Sequence, residues 1–249
     1  MAQHSPLTVE LIACSAFQPP SDIAWAPNEA ATQSEALIEF AGRACYESFD
    51  KPNPRTAATA DYIRHILQVG HSALLEHPTA TLYIRGLSRG ASHELMRHRH
   101  FSFSQLSQRY VHPHDLEVIV PDAIADDEQL RRLFLRACDE ARFAYEEFVT
   151  ALNTEEQPSA LARKQARQAA RAILPNATET RVVVTGNFRT WRHFIGMRAS
   201  EHADPEIRGL AVRCLKVLQA QAPAAFADFE ISTLADGTEM ATSAYVSEI

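Results

Sequence analysis

The four cysteines, Cys14, Cys45, Cys138 and Cys214, form no CxxC pair, and none lies in a motif that marks a nucleophile. That excludes a local zinc knuckle and a dithiol redox pair, and it leaves free thiols in a reducing cytoplasm as the expectation. No run of about eighteen apolar residues occurs, so no membrane-spanning helix is expected. The first residues, MAQHSPLTVELIA, lack the basic start and long apolar core of a secretory leader. Neither GxGxxG nor GxxxxGK appears, which removes the dinucleotide fingerprint and the P-loop. The chain also lacks a positive balance. Its formal net charge is -7 and its pI about 5.9, which speaks against nucleic acid as the partner.

What is present is an apolar content of 46% over 249 residues, enough for a substantial core. Charge is unevenly spread. Residues 115 to 156 hold twelve acids, whereas residues 160 to 214 hold ten Lys or Arg against four acids. An acidic solvated helix followed by a basic functional segment fits this distribution.

Periodicity and punctuation divide the chain. Leu7 to Ala13 alternates as a strand, and Gln18 to Ala31 reads as a loop. Ser34 is expected to cap a helix carrying Leu37, Ile38, Ala41 and Cys45 on one face. Lys51-Pro52-Asn53-Pro54 interrupts the chain before a helix from about Thr56 to Val69, which Gly70 ends. Thr79 to Ile84 is a strand, Ser88 starts a helix through about Arg97, and Val118 to Val120 is a short strand. Asp126 to Leu152 is a long helix with Leu130, Leu133, Phe134, Ala137, Ala141 and Tyr145 inward. A helix from Pro158 to Ile173, a strand from Glu179 to Thr185, a helix from Phe188 to about Ser200 capped by Asn187, a helix from Pro205 to Gln221 and a strand from Phe229 to Thr233 complete the series. Without regular βαβ alternation, this predicts an α+β fold with a mixed or antiparallel sheet flanked by long helices. A single domain is expected over residues 1–235, followed by a polar, mobile tail over 236–249.

The most informative stretch is Arg97-His98-Arg99-His100-Phe101-Ser102-Phe103-Ser104-Gln105-Leu106-Ser107-Gln108-Arg109. Arginines, histidines, hydroxyls and amides at this density suit phosphate and a planar heterocycle, and in an acidic chain they mark a local anion site. His93 to His98 is close to HExxH, but its histidines are five apart and point roughly 140° apart on a helix, so zinc is rejected. His71, Glu76 and His77 could ligate a metal, although capping or ligand contacts suit them better, and no metal is expected. Arg163, Arg167 and Arg171 share one helical face, read either as solvated or as reaching a phosphate. Phe188, Trp191, Ile195, Arg198 and His202 form one stripe in which Arg198 is anomalous. A guanidinium entering an apolar face needs an acid such as Glu201 or Glu206, or a ligand. Arg189 and His193, at i and i+4, could grip one ligand together.

Arg97-His98-Arg99, then seven residues, then Ser107-Gln108-Arg109, resembles the signature of the flavin-dependent thymidylate synthases. Gly42-Arg43-Ala44-Cys45-Tyr46, the block from Gly70-His71 to Glu76-His77, Leu174-Pro175, Asn187-Phe188-Arg189 and Arg198-Ala199-Ser200-Glu201-His202-Ala203 follow in that family's order, so the similarity covers most of the chain. The resemblance implies reductive methylation of dUMP to dTMP, with methylenetetrahydrofolate as carbon donor, NADPH as electron source and FAD as relay. It also implies a cytoplasmic homotetramer with sites built from several subunits, and no cysteine nucleophile.

Carried over by position, Arg97, His98, Arg99, Gln105, Asn187, Arg189 and His193 resemble the flavin contacts. Arg89, Glu94, Arg97, Gln105, Leu106, Ser107, Gln108, Arg109 and Arg171 match positions that hold dUMP. Ser107 and Arg198 match reactive-centre residues, Arg198 being the one credited with ionising uracil N3; Tyr46 and His71 match positions near the stacked rings and the folate. One departure is Ala73, where the family commonly has Ser or Thr; Ser72 precedes it, and that flavin contact is not carried over. Two rivals remain: a flavin reductase without methyl transfer, and a nucleic-acid-binding protein using Phe101 and Phe103 as stacking platforms.

Overall fold

The computed structural model describes residues 5–50, 53–111, 117–153 and 159–246, so Lys51, Pro52, Pro158 and the last three tail residues lie outside it. The elements in order are β1 (Thr8–Cys14), α1 (Gln33–Ala44), α2 (Thr59–Gln68), β2 (Thr79–Ser88), α3 (Arg89–Leu95), β3 (Ser102–Gln105), α4 (Asp122–Ala125), α5 (Glu128–Leu152), α6 (Ala160–Ala170), β4 (Glu179–Asn187), α7 (Phe188–Arg198), α8 (Pro205–Gln221), β5 (Phe229–Thr233) and β6 (Glu239–Ser243). One sheet has the order β1-β2-β4-β3; β5 and β6 form an antiparallel pair. The chain is α+β, as its patterning predicts. Contacts divide it into two compact units. The first comprises residues 1–8, 84–97 and 104–182; the second comprises 9–83, 98–103 and 183–249.

In the first unit, helix starts follow side-chain caps. Ser88 Oγ accepts from Ala91 N, Asp127 from Gln129 N and Leu130 N, and Ser159 Oγ from Ala162 N. Helices α5 and α6 pack together. The expected inward face of α5 is only partly right. Tyr145 is buried and Cys138 joins it, but Leu130 is 45% exposed and Leu133 53%. The helix carries more apolar surface than this chain covers, and Phe143, at 68%, adds an exposed ring on another face.

In the second unit, Thr32 caps α1, not Ser34. Its hydroxyl accepts from Glu35 N, and Glu35 Oε2 accepts from Thr32 N, a capping box. Ser34 is buried inside the helix, donates to Ser15 O and meets Cys14 Sγ. The core includes Ile38, Ile63, Ile66, Trp191, Phe194, Ile195, Leu210, Leu215 and Phe226. Trp191 Nε1 donates to Ala80 O, which fixes α7 against the β2 end in this unit. Arg192 forks onto both oxygens of Asp228, each at 2.7 Å. Gly186 is dictated by packing, because a Cβ there would lie 2.4 Å from the Phe101 ring. That ring sits 4.4 Å from the Trp191 ring, so the glycine lets the segment after His98 seat on α7.

Three differences in secondary structure have physical causes. Strand β2 runs on to Ser88, since no breaker separates Ile84 from the cap. Val118 makes only an isolated bridge to Thr178. Strand β6 forms where a mobile tail was expected, because its backbone pairs with β5 from Ser243 opposite Phe229 to Glu239 opposite Thr233.

Candidate active site

The first unit contains a cavity of about 360 Å³ lined by Arg89, Gln105, Leu106, Ser107, Gln108, Arg109 and Arg171. Arg89 opens α3 and its N–H donates to Thr178 O. Arg171 follows α6 in a single 3-10 turn. Burial, and then the Arg171 charge, push the Arg89 guanidinium below its usual pKa. Two cations that raise each other's electrostatic cost, together with a third from Arg109, form a cavity whose missing component is negative. Ser107 adds a hydroxyl, and three guanidinium groups match phosphate geometry.

The wall of this cavity is braced. Leu106 N donates to Arg181 O on β4 at 2.8 Å, while Tyr110 N and Val111 N both donate to Ser107 O. Arg167 Nη1 holds Tyr110 O at 2.6 Å, and the Lys164 ammonium lies 5.1 Å from the Tyr110 ring centroid. The hydrogen bond and charge of Lys164 hold the Tyr110 hydroxyl below its usual pKa. Thus Arg167 grips the loop and Arg171 lines the cavity.

The second unit gathers a different set. Arg198 Nε donates to His98 Nε2 at 3.0 Å. A histidine accepting at Nε2 carries its proton on Nδ1. Burial, then the charges of Arg198 and His193, push His98 down to about 4, so it is neutral at physiological pH. His193 is also pushed down, by burial, then His100, then Arg189. Arg198 is therefore held by an imidazole on its Nε edge. Phe194 packs edge-on to the His98 ring at 5.1 Å and fixes its plane. Arg189 pairs with Glu76 at 2.5 Å, and both are half exposed. Asn187 caps α7 by accepting from Thr190 N.

Of the residues singled out from sequence, seven line the first unit's cavity: Arg89, Gln105, Leu106, Ser107, Gln108, Arg109 and Arg171. Glu94 and Arg97 belong to the same unit but do not line that cavity. His98, Arg198 and His193 cluster in the second unit. Arg99 and His71 are exposed, and Tyr46 is 77% exposed in the turn after α1. His202 leaves the α7 stripe: the helix stops at Arg198, and His202 faces solvent beside Glu201. Sequence reasoning missed the roles of Glu76, Tyr110, Lys164 and Ser92. Only Ser92, three residues after Arg89, had a local signal, the reach of a serine hydroxyl to the i−3 carbonyl.

An α+β chain with guanidinium groups, a hydroxyl and amides around one cavity is built for an anionic, hydrogen-bonding ligand. The chain belongs to the family described as thymidylate synthase complementing protein, which matches residues 29–224. It is 67% identical to a flavin-dependent thymidylate synthase of Corynebacterium diphtheriae, over the whole of both chains. It is 66% identical to that of Corynebacterium glutamicum, over 99% of each chain. Its fold is similar to that of the UMP/dUMP methylase PolB from Streptomyces cacaoi bound with 5-Br dUMP. The TM-score is 0.66 at 23% identity, covering 91% of this chain and 96% of that one.

Proposed function

We propose that the chain converts dUMP to dTMP by flavin-dependent reductive methylation, with methylenetetrahydrofolate supplying the carbon and NADPH the electrons. Its relatives of about two-thirds identity carry that activity in their names. The single observation that carries the reading is the cavity in which Arg89, Arg109 and Arg171 surround one space with Ser107. A nucleotide phosphate is the dianion this set suits, each charge-assisted hydrogen bond being worth roughly 1.5–3 kcal/mol.

Arg198 acts on the base. A guanidinium beside N3 and O2 of uracil favours the deprotonated ring and raises electron density at C5. Arginine keeps its charge when desolvated, which lysine does less well. The His98 acceptor holds that guanidinium in one orientation. Flavin, as FAD, is assigned to Arg97, His98, Arg99, Gln105, Asn187, Arg189 and His193. The set fits such a group: Arg189 is half exposed with a single acid, and His193 one turn later is an uncharged donor or acceptor. When bound, the flavin supplies hydride chemistry that no side chain here can perform. Tyr46 and His71 are assigned to the vicinity of the flavin and the folate. The four cysteines are assigned no part; burial raises the Cys138 and Cys214 thiols and keeps those two protonated.

The open apolar stripe of α5, with Leu130, Leu133, Phe148 and Leu152, supports assembly as a homotetramer in which copies cover it. We place the activity in the cytoplasm; no helix among the described residues is long and apolar enough to cross a membrane. The reading is tested by giving the purified protein FAD, NADPH, methylenetetrahydrofolate and dUMP and separating the nucleotides. dTMP is expected. NADPH oxidation without dTMP, indifferent to dUMP, would instead establish a plain flavin reductase.

A further inference from the structure

Ser92 sits in α3 with 0% of its surface exposed. Its hydroxyl donates to Arg89 O at 2.8 Å and lies 2.9 Å from Gln105 Nε2. A serine hydroxyl has one hydrogen. With that hydrogen on Arg89 O, Ser92 Oγ can only accept, so the NH₂ end of Gln105 must face it. Turning the amide over would require Ser92 to donate to Gln105 and abandon Arg89 O. That leaves one hydrogen bond fewer around a hydroxyl that water cannot reach, a preference of roughly fivefold or more. The other end of the amide, Oε1, has no partner among the described residues. Both Arg89 and Gln105 line the cationic cavity.

We propose that Ser92 is a positioning residue that sets the polarity of the Gln105 amide, so that a cavity rich in guanidinium donors offers its ligand an acceptor of fixed orientation, for the sugar hydroxyl of a nucleoside monophosphate. The chemistry of the wall supports this division of labour. Guanidinium groups recognise phosphate and repel no hydroxyl, but they cannot accept from one. An oriented acceptor beside these cations contributes little to phosphate affinity and a great deal to the choice between ligands with and without the hydroxyl. A site built to hydrogen-bond a hydroxyl rejects the analogue lacking it, because the protein group is left unpaired. Serine at this position also links the two ends of the recognition: the same hydroxyl that orients Gln105 ties down the carbonyl of Arg89.

The inference rests on the reading of the cavity as the dUMP site, and the test separates the two. The holoenzyme with FAD is titrated with dUMP and with 2′,3′-dideoxyuridine 5′-monophosphate, following the flavin absorbance and, independently, equilibrium dialysis. The wild-type protein is expected to bind dUMP roughly tenfold more tightly than the dideoxy analogue. In Ser92→Ala the dUMP dissociation constant should rise to that of the analogue, while the analogue's constant stays within about twofold, so the selectivity collapses. Gln105→Leu should lose the same selectivity, and the double variant should lose no more than either single one, since the two act as a unit. Gln105→Leu also keeps the test open if Ser92→Ala does not fold.

A role for Ser92 in helix packing alone would weaken both ligands equally and add to the Gln105→Leu effect. Retained selectivity in Ser92→Ala, or no selectivity in the wild-type protein, overturns the proposal while leaving the dUMP reading intact. Binding of neither nucleotide overturns both.

Discussion

Replacing Arg171 with glutamine should weaken dUMP and leave the ligand-free protein as stable as before. Burial and the Arg171 charge both weigh against the Arg89 guanidinium. Removing one of two like charges relieves the free protein. It also removes a charge-assisted hydrogen bond to phosphate of roughly 1.5–3 kcal/mol, a factor of about 10 to 150 in the dissociation constant. The two effects can be read on one instrument. At a dUMP concentration of about 100 times the wild-type dissociation constant, ligand should stabilise the wild-type protein by about 2.7 kcal/mol. The same concentration should stabilise Arg171→Gln by only about 0.3–1.3 kcal/mol. For a chain of this size each kcal/mol moves Tm by about 2–4 °C, so shifts of about 5–10 °C and 1–5 °C are expected by differential scanning fluorimetry. Deoxyuridine, which lacks the phosphate, should bind both proteins alike. A fall of several degrees in the Tm of free Arg171→Gln, or an equal loss of affinity for dUMP and deoxyuridine, would refute a phosphate role for Arg171.

Four further outcomes follow from named contacts. Arg198→Lys should keep dUMP binding within about tenfold and lose most turnover, because an ammonium cannot reproduce the fork or the Nε bond to His98; near-normal kcat would contradict this. His98 is held below the ordinary histidine value of 6.5, so folding favours its neutral form. Its contribution to stability is full above pH 6.5 and declines as pH falls towards about 4. Replacing it in His98→Gln should flatten the pH dependence of Tm in that window, and an unchanged slope would remove the assignment. Gly186→Ala should cost about 1–3 kcal/mol, because its methyl meets the Phe101 ring, and calorimetry giving no loss would refute the packing argument. A variant with Cys14→Ser, Cys45→Ser, Cys138→Ala and Cys214→Ala should still form dTMP, and abolished activity in a folded variant would show that a thiol participates.

The legible parts of the sequence were those where local chemistry and tertiary structure agree. Asn187, Gly70 and Pro205 mark real element ends, and the β-branched run through Glu179 to Thr185 is a real strand. The signature delivered five residues, Gln105 to Arg109, to one cavity because they are neighbours in sequence on one braced loop, and Arg89 and Arg171 join them from α3 and the turn after α6. The cap of α1 was legible too: Thr32 and Glu35 have capping-box spacing, but Ser34 stood closer to the apolar stripe. Strand β6 was not legible. Its residues Glu239 to Ser243 are mostly polar, and only the pairing with β5 makes them a strand. The α5 stripe misled because periodicity reports an apolar face without saying what covers it. Pairings such as Glu76 with Arg189 join residues more than a hundred positions apart, and no spacing rule reaches that far.

The most direct measurement uses dUMP carrying tritium at C5, because methylation of that carbon must release the hydrogen it replaces. With FAD, NADPH and methylenetetrahydrofolate present, tritium should appear in water in equal amount to the dTMP formed, and Arg198→Lys should slow both together. Consumption of NADPH with all tritium still on the nucleotide would contradict the account.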